Sequence, residues 1–345
     1  MGKTTNVGGL GKERSVKIAM FSTKAWVHQA FEPLAERFGA EITWLEPRLG
    51  LDTVALAGGH EVVCAFVNDQ LDAPVLEKLA SLGAKLLAMR CAGFNNVDLK
   101  TAARLEIGVV RVPAYSPYAV AEHTLGMMLC LNRRYHRSWA RLKEGNFSLD
   151  GLLGFDMRGK TVGIIGTGRI GQVLCGMLKG FDMRLLAYDK FPSQALADAG
   201  VEYVELQRLY EESDIVSLHC PLTQETYHII NEYSLSAMKK GVMIINTSRG
   251  PLIDTDAVIE SLKAGKVGYL GLDVYEEEQD LFFEDLSDQV IQDDVFVRLM
   301  AFPNVLMTAH QAFFTKEAVD NIAETTLENI REFLETGDSK NRVAS

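Results

Sequence analysis

The chain has 345 residues, 47% of them hydrophobic, and a formal net charge of −11. That length accommodates two domains of ordinary size, each with its own core, and the acidic balance argues against nucleic acid and anionic membranes as partners, since both need clustered cations. No apolar run approaches the ~20 residues of a membrane-spanning helix, and the five cysteines (Cys64, Cys91, Cys130, Cys175 and Cys220) lie at least 27 residues apart with no CxxC pair, a pattern of scattered reduced thiols in a cytoplasmic protein and not of a disulfide framework or metal site.

Met1 to Ser15 is polar and glycine-rich without an apolar h-region, so it reads as a disordered extension and not as a secretory signal. From Val16 onward, short β-like runs alternate with amphipathic stretches: Val16 to Phe21, Glu41 to Leu45, Glu61 to Phe66, Lys85 to Met89 and Gly108 to Val110. Such alternation predicts a parallel sheet with helices on its faces. A long helix is expected from Ala119 to about Ala140. A second alternation then places strands at Thr161–Ile165, Arg184–Tyr188, Ile215–Leu218, Val242–Ile245, Tyr269–Leu272 and Val305–Met307, about six in number. Glu276 to Met300 fits neither alternation, and a loop of that length inside a compact domain is usually functional. Thr315 to Thr336 reads as one amphipathic helix that supplies the covering layer the first sheet lacks. The expected organisation is therefore an extension at 1–15, a discontinuous smaller domain of 16–117 with 311–345, and a larger domain at 118–310.

The larger domain carries the turn Gly166-Thr167-Gly168-Arg169-Ile170-Gly171, preceded by an apolar strand and followed by a helix. In a dinucleotide-binding turn, Gly166 permits the tight turn, Gly168 lets a pyrophosphate approach the backbone, and Gly171 lets helix and strand pack closely; the phosphates face the helix N-terminus. Asp189, 21 residues after Gly168, stands where a carboxylate accepts hydrogen bonds from an adenosine ribose and repels the additional phosphate of NADP, although Lys190 beside it weakens that discrimination. NAD is the expected cofactor. Ligands of open α/β sheets lie beyond the carboxyl ends of the strands, and three successive strand ends carry reactive groups: Arg249, the acids Glu276, Glu277 and Glu278, and His310. An arginine binds a carboxylate through two parallel bonds, a histidine exchanges a proton near neutral pH, and a carboxylate fixes the histidine's tautomer. Each side chain alone has a structural explanation; together they suit hydride transfer to a 2-oxo acid. Spacing alone does not choose among the three glutamates.

Seven motifs carry a resemblance that runs from about Val16 to about Glu335: Arg90 to Asp98, Val112 to Pro117, Ala121-Glu122-His123, the glycine turn, Asn246 to Gly250, Asp273 to Glu276, and His310 to Phe313. The chain resembles the D-2-hydroxyacid dehydrogenases, nearest their fermentative D-lactate dehydrogenase branch. The resemblance implies two Rossmann-like domains with parallel sheets, the smaller one flavodoxin-like. It implies that Arg249 binds the substrate carboxylate and that His310 is the general acid in reduction. The acid five residues after Asp273 is then its partner, which selects Glu278. It further assigns the Ala92 and Gly93 amides to the carboxylate, Tyr115 to the cleft, Phe313 to the substrate methyl group and Asp273 to the nicotinamide end of the cofactor site. Leu281 to Asp285 and the Phe313-Phe314 pair favour pyruvate and D-lactate as substrates; a bulkier 2-oxo acid, or an NAD-sensing role without catalysis, are the alternatives. A homodimer or homotetramer is expected, with a subunit contact along the Ala119–Ala140 stretch.

Overall fold

The computed structural model describes residues 15–278 and 281–343, so the extension expected at 1–15 falls, except for Ser15, outside the described residues. Two units compose the chain: one runs to Ser116 and resumes at Thr315, and the other is Pro117–Phe314. The sequence reading ends the second unit at 310. The fold carries it on to Phe314, because the backbone amides of Gln311 and Ala312 donate to the carboxylate of Asp273 at 2.9 Å each, which ties that stretch to the second unit.

The first unit is a five-stranded parallel sheet of β1 (Val16–Met20), β2 (Ala40–Trp44), β3 (Val62–Ala65), β4 (Leu86–Met89) and β5 (Gly108–Arg111), in the order β2-β1-β3-β4-β5. This is the flavodoxin-like order. β3 and β4 are Val-Val-Cys-Ala and Leu-Leu-Ala-Met, buried at every position, as strands covered on both faces must be. The helix Lys316–Thr336 lies on this sheet through Ala318, Val319, Ile322, Ala323, Leu327 and Ile330, a 3.6-residue stripe. Two contacts fix its register. Asn329 Nδ2 donates to Arg111 O at 2.8 Å, and the Phe333 ring occupies the space where Gly108 would otherwise carry a Cβ.

The second unit is a seven-stranded parallel sheet of β6 (Thr161–Ile165), β7 (Arg184–Tyr188), β8 (Glu202–Tyr203), β9 (Ile215–Leu218), β10 (Val242–Asn246), β11 (Val267–Leu272) and β12 (Val305–Met307), ordered β12-β11-β10-β9-β6-β7-β8. The order reverses between β6 and β9, which makes the end of β6 the switch point where a dinucleotide binds in this architecture. Alternate side chains feed two cores. Val162, Ile164, Leu185, Met243 and Ile245 pack with Met127, Leu131 and Leu174 on one face, while Ile165, Leu186, Val216 and Ile244 pack with Leu209, Leu235 and Val258 on the other.

Three sequence expectations need correction here. β8 is a strand the pattern did not predict; it pairs only through Glu202 and Tyr203, too short for alternation to register. The single helix expected from Ala119 to Ala140 is two, Pro117–Arg133 and Tyr135–Lys143, broken at Arg134, whose φ is +51°. Just before the break the Asn132 side chain pairs with both backbone groups of Phe155 at 2.8 Å, and the Arg134 guanidinium covers the Tyr269 ring. Apolar periodicity continues across such a break and does not reveal it. The segment read as a loop to Met300 contains the helix Asp294–Ala301, capped by Asp293, whose carboxylate accepts from Phe296 N at 2.8 Å.

Candidate active site

The glycine turn leaves β6 at Ile165. Gly166 has φ +98°, and a Cβ there would stand 2.5 Å from the backbone of His219 and Cys220. A Cβ on Gly171 would stand 2.2 Å from Gly166 O, so the helix Arg169–Lys179 sits directly on the turn. Gly168 differs from both: its φ is −65° and a Cβ would meet no protein atom within 4 Å. It caps that helix without any side-chain bond, so the turn presents an open surface lined by helix N-terminal amides, which suits a pyrophosphate. Thr167 is buried while Gly168 and Arg169 are exposed and Ile170 is half-buried. Asp189 reaches back to this turn: its Oδ2 accepts from Thr167 N at 2.6 Å and Thr167 Oγ1 at 3.0 Å, and Tyr203 donates to the same hydroxyl at 2.9 Å. Lys190 is paired with Glu225 at 3.0 Å, which draws its charge away from Asp189.

At the carboxyl ends of β10, β11 and β12 the sheet brings three loops side by side. In the first, Asn246 holds the chain around Arg249 by donating to Arg249 O at 2.8 Å and accepting from Ser248 N at 3.0 Å; the half-buried guanidinium donates to Ser248 O. Gly250 lies against the carbonyl of Tyr275, where a Cβ would be 2.1 Å away, so the first loop packs directly on the second. In the second loop Glu278 Oε1 meets His310 Nδ1 at 2.8 Å, and its Oε2 accepts from Tyr275 N at 3.0 Å. Glu277 is exposed and Glu276 bonds a different histidine, His228, at 2.6 Å. The three glutamates thus separate into one that faces His310, one in solvent and one committed elsewhere.

The third loop holds His310 in an uncommon backbone conformation, φ +49°. Asp273 maintains it. His310 N donates to Asp273 O at 2.7 Å, and the buried carboxylate accepts from Thr308 Oγ1 at 2.6 Å and from the Gln311 and Ala312 amides. His123 joins this group, its Nε2 lying 3.1 Å from Thr308 Oγ1. Asp273, expected to support the cofactor, has its oxygens turned onto the loop that carries the histidine. Thr308 was not singled out in the sequence, although its position two residues before His310 on the same strand end was a usable signal. Phe313 is buried and stacks edge-on with the half-exposed Phe314.

In the first unit Ala92 and Gly93 lie in the turn after β4. Arg111 Nη1 donates to Ala92 O at 2.8 Å, and Cys91 Sγ to Gly93 O at 3.2 Å. Beneath that turn the guanidinium of Arg90 is wholly buried, lies over the Phe66 ring and donates to Ser22 O at 2.7 Å. Tyr115 is half-buried in the segment after β5.

The description of the D-isomer specific 2-hydroxyacid dehydrogenase family, NAD binding domain, matches residues 125–312. The chain belongs to this family. It is accordingly an NAD-dependent oxidoreductase of D-2-hydroxy acids. A D-lactate dehydrogenase of Escherichia coli (strain K12) is 56% identical over 324 residues, covering 94% of this chain and 98% of that protein. The apo-structure of D-lactate dehydrogenase from Escherichia coli superposes with a TM-score of 0.87 at 52% identity over 95% of this chain and 100% of that one. A structure reported as the pyruvate reductase of Chlamydomonas reinhardtii gives a TM-score of 0.89 at 44% identity over 93% and 97%. Among the described residues no helix is long and apolar enough to cross a membrane.

Proposed function

We propose that the chain catalyses the reversible reduction of pyruvate to D-lactate with NADH. The observation that carries this reading is the bond between Glu278 and His310 Nδ1. A carboxylate on Nδ1 holds that nitrogen protonated, so Nε2 is the atom that gives its proton to the keto oxygen in reduction and recovers it in oxidation. Arg249 anchors the substrate carboxylate through its planar fork and polarises the adjacent carbonyl. Phe313 packs against the methyl group; Ala92, Gly93 and Tyr115 are assigned to the substrate on the family resemblance. When bound, NAD supplies or accepts the hydride. Gly166, Thr167, Gly168, Arg169, Ile170 and Gly171 hold its pyrophosphate, and Asp189 its adenosine ribose. Asp273 acts through the loop it fixes, keeping His310 in place. The similarity to proteins described as a D-lactate dehydrogenase and a pyruvate reductase supports pyruvate as substrate.

We further propose a homodimer or homotetramer in the cytoplasm. The helix Tyr135–Lys143 and the segment after it expose Trp139, Phe147, Leu149 and Leu153 at 63–88%, a run of apolar surface that a second copy of the chain covers. The deciding experiment is NADH oxidation by the purified chain with pyruvate and with phenylpyruvate. Higher kcat/KM for pyruvate is expected. Preference for phenylpyruvate would move the assignment to a bulkier 2-oxo acid, and NADH binding without turnover of either would leave an NAD-sensing role.

A further inference from the structure

We infer that His228 and Glu276 are positioning residues for the acid–base pair; the inference rests on the assignment of Glu278 and His310 above. Glu276 is anchored at both oxygens. Oε1 meets His228 Nε2 at 2.6 Å, and Oε2 accepts from Thr255 Oγ1 at 2.6 Å and Thr255 N at 3.3 Å, at the start of the helix Thr255–Lys263. There the helix dipole favours a negative charge. His228 is itself fixed: its backbone, at φ +50°, donates to Pro251 O at 2.9 Å, its ring stacks on Tyr227 with centroids 3.9 Å apart, and Asp254 Oδ2 lies 3.9 Å from Nδ1.

What Glu276 grips is the four-residue turn that presents Glu278. The amide that orients Glu278 belongs to Tyr275, the residue immediately before Glu276, and Gly250 closes against the Tyr275 carbonyl from the other side. The turn is therefore held at its first residue by packing and at its second by a side chain hydrogen-bonded at both oxygens, and the fourth delivers a carboxylate to His310 Nδ1. Releasing the second residue lets the fourth drift. A carboxylate that leaves Nδ1 no longer fixes the tautomer, and the imidazole loses the orientation that proton transfer requires. Two acid–histidine pairs thus arise from one turn, Glu276 with His228 and Glu278 with His310, and the first holds the geometry of the second.

The test compares H228A, H228Q and E276Q in the full chain. For H228A we expect kcat for pyruvate reduction to fall about five- to tenfold, while KM for pyruvate and for NADH stays within about twofold of wild type. H228Q keeps an N–H donor toward Glu276 and should recover most of the loss. A clamp that merely stabilises the fold would lower the melting temperature without that split or that rescue. A second readout needs no turnover: the ring nitrogen signals of His310 in the NMR spectrum should report an Nδ1-protonated tautomer in wild type and a mixture in H228A. Wild-type kcat and unchanged His310 signals in both H228A and E276Q overturn the inference, as does a loss of kcat that H228Q does not restore. If H228A does not fold, E276Q carries the same comparison. If wild type fails to reduce pyruvate while its His310 signals respond to H228A as expected, the substrate assignment falls and the positioning role stands.

Discussion

Replacing Gly168 by alanine separates the cost to the protein from the cost to the cofactor. The new methyl group meets no protein atom within 4 Å, and the backbone at φ −65° suits an L-residue. The folded state therefore loses nothing, while the unfolded chain loses freedom, and stability should rise by about 0.4–1 kcal/mol. The methyl group does occupy the surface that the pyrophosphate must approach. Holding the phosphates away from the turn costs one hydrogen bond to a charged group, worth roughly 1.5–3 kcal/mol, so the Kd for NADH should rise by about one to two powers of ten. Gly166→Ala is the control, with a Cβ 2.5 Å from immovable backbone at φ +98°; it should destabilise the protein by several kcal/mol, on the order of 3 or more. Fluorescence titration with NADH and thermal unfolding of the same preparations read both quantities. If G168A binds NADH as wild type does, the second glycine does not face the cofactor and the argument from open space is wrong.

Arg249→Lys removes the planar fork and should raise KM for pyruvate by at least about tenfold and lower kcat, with NADH affinity retained; steady-state kinetics with both substrates check this. His310→Gln should lower kcat by about 10²–10⁴, and Glu278→Gln by less, while NADH still binds by fluorescence; equal activity in either variant and wild type removes that residue from the mechanism. Burial lowers the pKa of His219 from the ordinary 6.5 to about 4. As the pH falls from 6.5 toward 4 the unfolded chain takes up this proton before the folded one does, so stability declines across that window and is intact above it. The full difference amounts to about 3 kcal/mol, and because part of the residue reaches solvent we expect about 1–2 kcal/mol. Denaturant titrations at several pH values should show this slope diminished in H219Q, where no group titrates.

The strands were legible because a sheet covered on both faces needs unbroken apolar runs, and Val-Val-Cys-Ala and Leu-Leu-Ala-Met offer little else. The glycine turn was legible for a related reason: Gly166 and Gly171 each answer a steric demand of the backbone, whereas Gly168 has open space around it and is accounted for by the pyrophosphate proposed to approach there. β8 and the break at Arg134 were not legible, since two residues carry no period and one left-handed residue leaves the apolar spacing intact. At the site, residue types and strand ends suggested Arg249 and His310, but the choice of Glu278 over its neighbours depended on family spacing. The partnership of His228 and Glu276 spans 48 positions and has no periodic signature; only the fold brings them together.

The helix Lys316–Thr336 completes a sheet whose strands all precede Val112. During synthesis the second unit lies between them, so Pro117–Phe314 has left the ribosome before the first sheet can receive its last layer. Domains ordinarily fold in the order in which they emerge. Here that order is inverted: the inserted unit is complete first, and the nascent amino-terminal strands, one apolar face of which is only partly covered by the helix Ala25–Ala35 until the chain ends, are the part of the newborn chain for which chaperones have most time to compete.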